Sequence, residues 1–428
     1  MDNIFSGSPI DFCWGTGIED TFVPQTRPGM RPLDEYELMG HYEHWRADLA
    51  LAKACGAQTI RWGIPWYRVE PEQGRFDWSW TDQVIPYITD ELGLQPILDL
   101  MHYGTPLWLT HSFIDPRYPA AVAAYARAVA ERYGDRIRYY TPLNEPSVNA
   151  LMCGKRGLWP PYRHGERGYL AVAMALADGM LRTVRALREV NPHAIMVHVE
   201  ATGIWRAAHA GLEPLAAEQR QRGYLFLDLL TGRVDEEHPR WSWLTSNGVP
   251  AETLHRLAAQ LITLDIIGLN FYPQWSTRQI ALDQRGRMRF RKVEQNGAGF
   301  GQMVADFYER YRAPIMITET SAMKGIAPKR RWLHDSVAAV RELRGRGVPV
   351  IGYTWFPLFT MVDWNYRTGQ RPRNAYLIEL GLYESQTEPD GTLRYVPTEL
   401  VDAFRHYATM PVAESVGELI TPHFEHRD

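Results

Sequence analysis

Short apolar runs alternate with stretches in which apolar residues recur every three or four positions, nearly from end to end of the chain. The runs at 12–15, 58–62, 94–101, 138–144, 194–199, 266–270, 314–318 and 348–355 predict eight strands. Between them, Leu38, Met39, Tyr42, Trp45, Leu49 and Ala52 mark one helix, stopped by Gly56. Further helices are predicted over 120–133 and 166–190, the latter closed by Asn191-Pro192. Continuous apolar strands bury both faces, so the pattern predicts an α/β fold: a (β/α)8 TIM barrel of parallel strands. No repeat or linker divides it. One domain is expected over 1–410, with 411–428 as a weakly patterned C-terminal tail. The loops after strands four, six and eight are long and rich in Trp, Tyr and Arg, as a binding cleft requires.

Composition changes this picture little. A length of 428 residues suggests two or three domains, but a barrel with long loops also reaches it. A net charge of −4 gives no reason to expect nucleic acid or a membrane surface as partner. The N-terminal residues lack the basic and apolar segments of a secretory signal, so a cytoplasmic location is expected. Cys13, Cys55 and Cys153 are odd in number and lack metal-ligand spacing, so neither a disulfide framework nor a metal is expected. The 15 Trp and 22 Tyr are more suggestive. Aromatic faces stack on the C–H faces of sugar rings, although core packing uses the same residues.

The chemistry lies in two segments, Thr141-Pro142-Leu143-Asn144-Glu145-Pro146 and Ile315-Met316-Ile317-Thr318-Glu319-Thr320. Each is an apolar strand that ends in a glutamate, and a barrel puts all such ends on one face. Two carboxyls there are the minimal equipment for cleaving a glycosidic bond. At a separation of about 5–5.5 Å the second carboxylate attacks directly; at about 6.5–9.5 Å a water fits between. Asn144 is placed to donate to a sugar hydroxyl. Arg61, ending strand two, and Tyr272, past strand six, are candidates to keep Glu319 ionised, because a guanidinium lowers a neighbouring carboxyl's pKa. His102, ending strand three, is either a hydroxyl ligand or a satisfied rim histidine. Trp159 is a stacking ring or loop packing. Arg278, Arg285, Arg287, Arg291 and Lys292 are either a solvated hairpin or a contact for an acidic substrate.

In order along the chain stand His41-Tyr42-x-x-Trp45-Arg46-x-Asp48-Leu49, Arg61-Trp62-Gly63-Ile64-Pro65-Trp66, Pro96-Ile97-Leu98-Asp99-Leu100-Met101-His102-Tyr103, the Asn-Glu-Pro segment, Asp265-Ile266-Ile267-Gly268-Leu269-Asn270-Phe271-Tyr272 and Ile317-Thr318-Glu319. Together they resemble the retaining β-glycosidases of glycoside hydrolase family 1, over about 11–385. The resemblance implies Glu145 as acid/base and Glu319 as nucleophile, with Asn144, His102, Arg61 and Tyr272 around the substrate and no cofactor. The implied partner is a small glycoside or oligosaccharide; the oligomeric state is open.

The departures concern the sugar. The family's first strand leads to a Gln that binds two hydroxyls. Here Trp14-Gly15-Thr16-Gly17-Ile18-Glu19-Asp20 has none, leaving Glu19 or Asp20 in its place. The family's Glu-Trp pair after the last strand is replaced by Asp363-Trp364, and the strand-end tryptophan, Trp355, is displaced by one position. Glu19, Trp355, Asp363 and Trp364 are thus the candidates to hold the sugar. The alternatives to hydrolysis are a transglycosidase using the same glutamates and a degenerate, carbohydrate-binding barrel.

Overall fold

A computed structural model describes residues 12–293, 296–389 and 391–409. The predicted tail, 411–428, lies outside the described residues. Eight strands form a closed barrel: β1 (Cys13–Gly17), β2 (Thr59–Gly63), β3 (Gln95–Asp99), β4 (Tyr139–Thr141), β5 (Ile195–Ala201), β6 (Ile266–Asn270), β7 (Ile315–Thr320) and β8 (Val350–Trp355). Each pairs in parallel with its neighbours in sequence, and β1 closes the ring on β8, with Cys13 opposite Gly352. The fold class is the one the pattern predicts. Three strands are shorter than their apolar runs, β8 only by its first two residues. β4 ends at Thr141, and beyond it only single backbone bonds tie the chain to its neighbours, from Asn144 N to Met101 O and from Glu145 N to Val199 O. β3 ends at Asp99, before the turn that carries His102.

The main helices are α1 (His41–Ala54), α2 (Tyr118–Tyr133), α3 (Gly165–Val190), α4 (Glu213–Gly223), α5 (Gly297–Tyr311), α6 (Ile326–Gly345) and α7 (Glu399–Thr409). None of the described helices is long and apolar enough to cross a membrane. In α1 the buried residues are His41, Trp45, Asp48, Leu49 and Ala52, a stripe at helical spacing. Its two buried polar groups satisfy each other: His41 Nδ1 meets Asp48 at 2.8 Å, while Trp62 donates to His41 Nε2 across 3.1 Å. That seats α1 on the back of β2. A small apolar cluster of Ile97, Tyr139, Val197, Val199, Ile266 and Met316 is separate from the main core. Ile97 shares its strand face with Asp99, Ile266 with Asn270, and Met316 with Thr318. The cluster therefore fills the bore directly beneath those polar residues.

Two features aim the glutamates. β7 breaks register with β6 between Ile317 and Glu319, and with β8 between Ile317 and Thr320. Such a bulge re-aims a side chain. Glu145 has φ 44°, a left-handed conformation that non-glycine residues adopt at a cost of about 1–3 kcal/mol and mostly at functional sites. Its N–H donates to Val199 O at 3.1 Å, and its carbonyl accepts from Asn149 N at 3.0 Å. The turn is thereby pinned to β5. Beyond the barrel, Ile204–Ala207, Thr277–Leu282 and Met288–Lys292 form a three-stranded sheet on the rim.

Candidate active site

Arg61 is the centre of the site. Its side chain is buried in the bore. One nitrogen, Nη1, donates to Glu319 Oε1 at 2.5 Å. The other, Nη2, donates to Asp99 Oδ2 and to Asn144 Oδ1, the latter at 3.0 Å. The second oxygen of Glu319 accepts from the Tyr272 hydroxyl at 2.7 Å. Both oxygens of this carboxylate are therefore matched by donors, one of them charged. Burial raises the pKa of Glu319 to about 7; Arg61 pulls it down, Glu145 pushes it up, and His102 and Tyr272 pull it down.

Glu145 has a different cradle. Tyr103 donates to Oε2 at 2.6 Å and Asn270 Nδ2 to Oε1 at 2.9 Å. Both donors are neutral. Asn270 is itself fixed by Thr318, whose hydroxyl donates to Asn270 Oδ1 at 2.7 Å. Asn144 ties the two cradles together. It accepts from Arg61 and from Asn270 (3.3 Å), and its Nδ2 donates to Tyr103 Oη (3.1 Å).

Nε2 of His102 lies 2.9 Å from Asn144 Nδ2 and 3.9 Å from Glu19 Oε1, and Nδ1 lies 2.7 Å from Asp20 and 3.3 Å from Asp99. Burial disfavours a charge on the ring, but the facing carboxylates outweigh it and hold its pKa well above 6.5. The Asn144 N–H, by contrast, is matched by a lone pair on Nε2. A ring proton and that amide compete for one position. Burial also raises Glu19, and raises Asp20 to about 6. The ligand-type atoms of Asp20, Asp99 and His102 lie within 4.8 Å of one another. His102 already faces Asp20, however, and Arg61 holds Asp99, so a cation there would compete with two positive partners.

Seven of the residues singled out in the sequence meet in this network: Glu145, Glu319, Asn144, His102, Arg61, Tyr272 and Glu19. Trp364 touches it indirectly, with its ring centre 5.6 Å from Tyr103 and 5.0 Å from Trp159. Trp159 is buried, which fits loop packing. Trp355 does not join. It is buried in the core and donates to Leu380 O at 3.1 Å. Successive side chains on a strand point to opposite faces, so a displacement of one position turns the tryptophan away from the bore. Phe356 faces it instead, its ring centre 5.4 Å from the Arg61 guanidinium. Asp363 is also diverted: its carboxylate caps the 364–367 turn, accepting from Asn365 N at 2.7 Å.

Tyr103, Asn270 and Asp99 carry the network without having been singled out. A charged residue inside the apolar run Pro96-Ile97-Leu98-Asp99-Leu100 was the one available signal. Arg367 is buried and bonded to Val23 O, Gln25 O and Arg31 O, which makes it a loop fastener. On the basic hairpin, Asp283 holds Arg287 and Arg289, in keeping with a solvated turn.

These raised carboxyl values have a direct consequence for stability. Between the ordinary value of 4.5 and about 7, Glu319 holds a proton in the folded chain that the unfolded chain has released. Stability therefore falls as pH rises through that window, and Asp20 acts in the same direction up to about 6. The melting temperature is expected to be higher at pH 5 than at pH 8, with a smaller difference in Glu319→Gln. Thermal unfolding followed by circular dichroism at both pH values checks this; an equal slope in the variant contradicts it.

The chain and its fold have known counterparts. The glycosyl hydrolase family 1 model matches residues 14–371. The chain belongs to glycosyl hydrolase family 1. It is similar to β-glucosidase A of Thermotoga maritima, 28% identical over 396 residues and covering 84% of this chain and 86% of that protein. It is similar to β-glucosidase 47 of Arabidopsis thaliana, 23% identical over 395 residues and covering 80% and 71%. The Thermotoga maritima β-glucosidase solved in complex with deoxynojirimycin superposes with a TM-score of 0.80 at 19% identity, over 94% of this chain and 98% of that one. The chain is a glycoside hydrolase built on the same barrel fold.

Proposed function

We propose that this glycoside hydrolase cleaves a β-glycoside with retention of configuration, with Glu319 as nucleophile and Glu145 as acid/base. The observation that carries the reading is the asymmetry of the two carboxyls: Glu319 lies against a guanidinium and a phenol, Glu145 against a phenol and an amide. Opposed environments set acid and base roles. In the first step a Glu319 oxygen forms a bond to the anomeric carbon while the bond to the leaving oxygen breaks. That oxygen takes the proton of Glu145. In the second step Glu145 removes a proton from water, the water oxygen bonds to the anomeric carbon, and the bond to Glu319 breaks. Arg61 and Tyr272 stabilise Glu319 as it departs.

The relatives are named β-glucosidases, so β-glucosides are the first substrates to offer. With Asp363 capping a turn and Trp355 in the core, the sugar grip passes to Glu19, His102 and Phe356. A panel of aryl β-glycosides, with the first-formed sugar read by proton NMR, tests the reading. The β-anomer supports it, and the α-anomer contradicts it.

Glu145→Ala separates the acid role from the rest. With an aryl leaving group that needs no proton, the glycosylation step is expected to keep its rate within about tenfold. With an alkyl leaving group the loss is expected to reach about 10²–10⁴-fold, the usual worth of a general acid. Pre-steady-state release of both leaving groups measures the difference, and equal losses on both contradict the assignment.

A further inference from the structure

A third buried glutamate, Glu200, lies at the end of β5 beside the acid/base turn. Val197 and Val199 of the same strand face the bore, so Glu200 faces the opposite way, toward α3. Its Oε1 accepts from the Ala201 N–H at 2.8 Å and from the hydroxyl of Ser147. Ser147 stands two residues beyond Glu145, across Pro146.

That bond falls where the chain needs holding. Glu145 is in the left-handed region, and a non-glycine residue stays there only when its surroundings fix it. Two backbone bonds do so, Asn149 N to Glu145 O and Glu145 N to Val199 O. Pro146 has no N–H and adds none. The bond from Ser147 to Glu200 is a third pin, and it fastens the far side of the turn to the same strand.

Burying a carboxyl costs free energy, more so when it is charged. Burial raises Glu200 to about 8; Ser147 pulls it down and the nearby Glu145 pushes it up. Tyr169 of α3 is a further titratable group in its field. At neutral pH Glu200 is therefore a carboxylic acid. A neutral acid accepts on one oxygen and carries its proton on the other, which matches two donors that both meet Oε1. It holds the turn without setting another negative charge beside Glu145.

We propose that Glu200 is a positioning residue for the acid/base: through Ser147 it holds the turn that aims Glu145 at the leaving oxygen. The proposal rests on the glycosidase reading and adds to it a residue that acts without touching the substrate. The test is pre-steady-state release of an activated aryl and of an alkyl leaving group in the full-length protein and its variants. In Glu200→Ala the alkyl rate is expected to fall about 10–10²-fold, the scale on which misplacing a catalytic group acts. The aryl rate, which needs no proton, is expected to stay within about threefold. Ser147→Ala removes the same bond from its other end and is expected to show the same selective loss. Glu200→Gln keeps the accepting oxygen and the neutral charge, so both of its rates are expected to stay within about twofold.

A double-mutant cycle separates positioning from general damage. With Glu145→Ala in place there is no acid left to misplace, so adding Glu200→Ala is expected to change the alkyl rate by less than about twofold. Equal losses on both leaving groups, no loss on either, a Glu200→Gln as impaired as Glu200→Ala, or an undiminished further loss in the Glu145→Ala background overturns the proposal. If Glu200→Ala does not fold, Ser147→Ala and Glu200→Gln decide on the same ratios. A leaving-group difference in Glu145→Ala with none in Glu200→Ala or Ser147→Ala overturns this proposal alone. No such difference in Glu145→Ala itself strikes at the acid/base assignment and overturns both.

Discussion

Glu319→Ala is expected to lower turnover of an aryl β-glycoside by about 10⁴-fold or more, the scale on which removal of a nucleophile acts. Azide is expected to restore a large part of the rate and to leave the α-glycosyl azide as product. The reason is geometric. Truncation removes both oxygens from between Arg61 and Tyr272 and leaves a space beneath the anomeric carbon, flanked by a cation, where a small anion binds. The anion attacks from the face Glu319 occupied, so the product has inverted configuration. The same variant keeps Glu145 and its two donors, so an activated leaving group still departs. Rescue that gives the β-azide, or a loss of less than tenfold, contradicts the role given to Glu319.

Arg61→Met has the second large effect, and it falls on both stability and catalysis. One side chain holds Asp99, Asn144 and Glu319 at once, in a bore where all four are buried. Breaking a buried pair strands the partner's charge and typically costs about 3–5 kcal/mol. Here two carboxylates lose the cation, leaving His102 as the nearby positive partner. Both then take up protons more readily, which moves Glu319 further above its already raised value. The expected result is a melting temperature lowered by several degrees. The acid limb of kcat/KM is expected to shift to higher pH, with a loss of about 10²-fold or more at neutrality. Arg61→Lys is expected to recover part of the stability but little of the rate, because an ammonium lacks the fork that reaches Glu319 and Asn144 together. A pH–rate profile and a thermal scan on both variants measure this. An unshifted acid limb in Arg61→Met contradicts the claim that Arg61 sets the protonation of Glu319.

The barrel was legible because its strands are buried on both faces and read as unbroken apolar runs, while its helices show one buried stripe each. Strand ends were less legible. The apolar run around Leu143 continues past the last ladder bond, and only the left-handed turn at Glu145 shows where the wall stops. Residues whose neighbours repeat a known order, such as Arg61, Asn144, Glu145, Tyr272 and Glu319, fell together in space as expected. The sugar-facing residues did not follow. Trp355 sits one position from where it would face the bore, and a period of two turns that into burial. Asp363 has the right chemistry, but a local N–H takes its oxygen. Tyr103 and Asn270 were hidden because nothing in a tyrosine or an asparagine marks it as a donor to a residue 42 or 125 positions away.

A nucleophilic Glu319 becomes covalently linked to the sugar. Incubation with a 2-deoxy-2-fluoro-β-glycosyl fluoride slows both steps through the electron-poor transition state, and the good leaving group lets the intermediate accumulate. Intact-mass and peptide mass spectrometry then give the answer directly. One fluorosugar per chain is expected, on the peptide containing Glu319 and absent from Glu319→Gln. A label on Glu145, Glu19 or any other residue contradicts it, as does hydrolysis of that reagent with no adduct and release of the α-anomer.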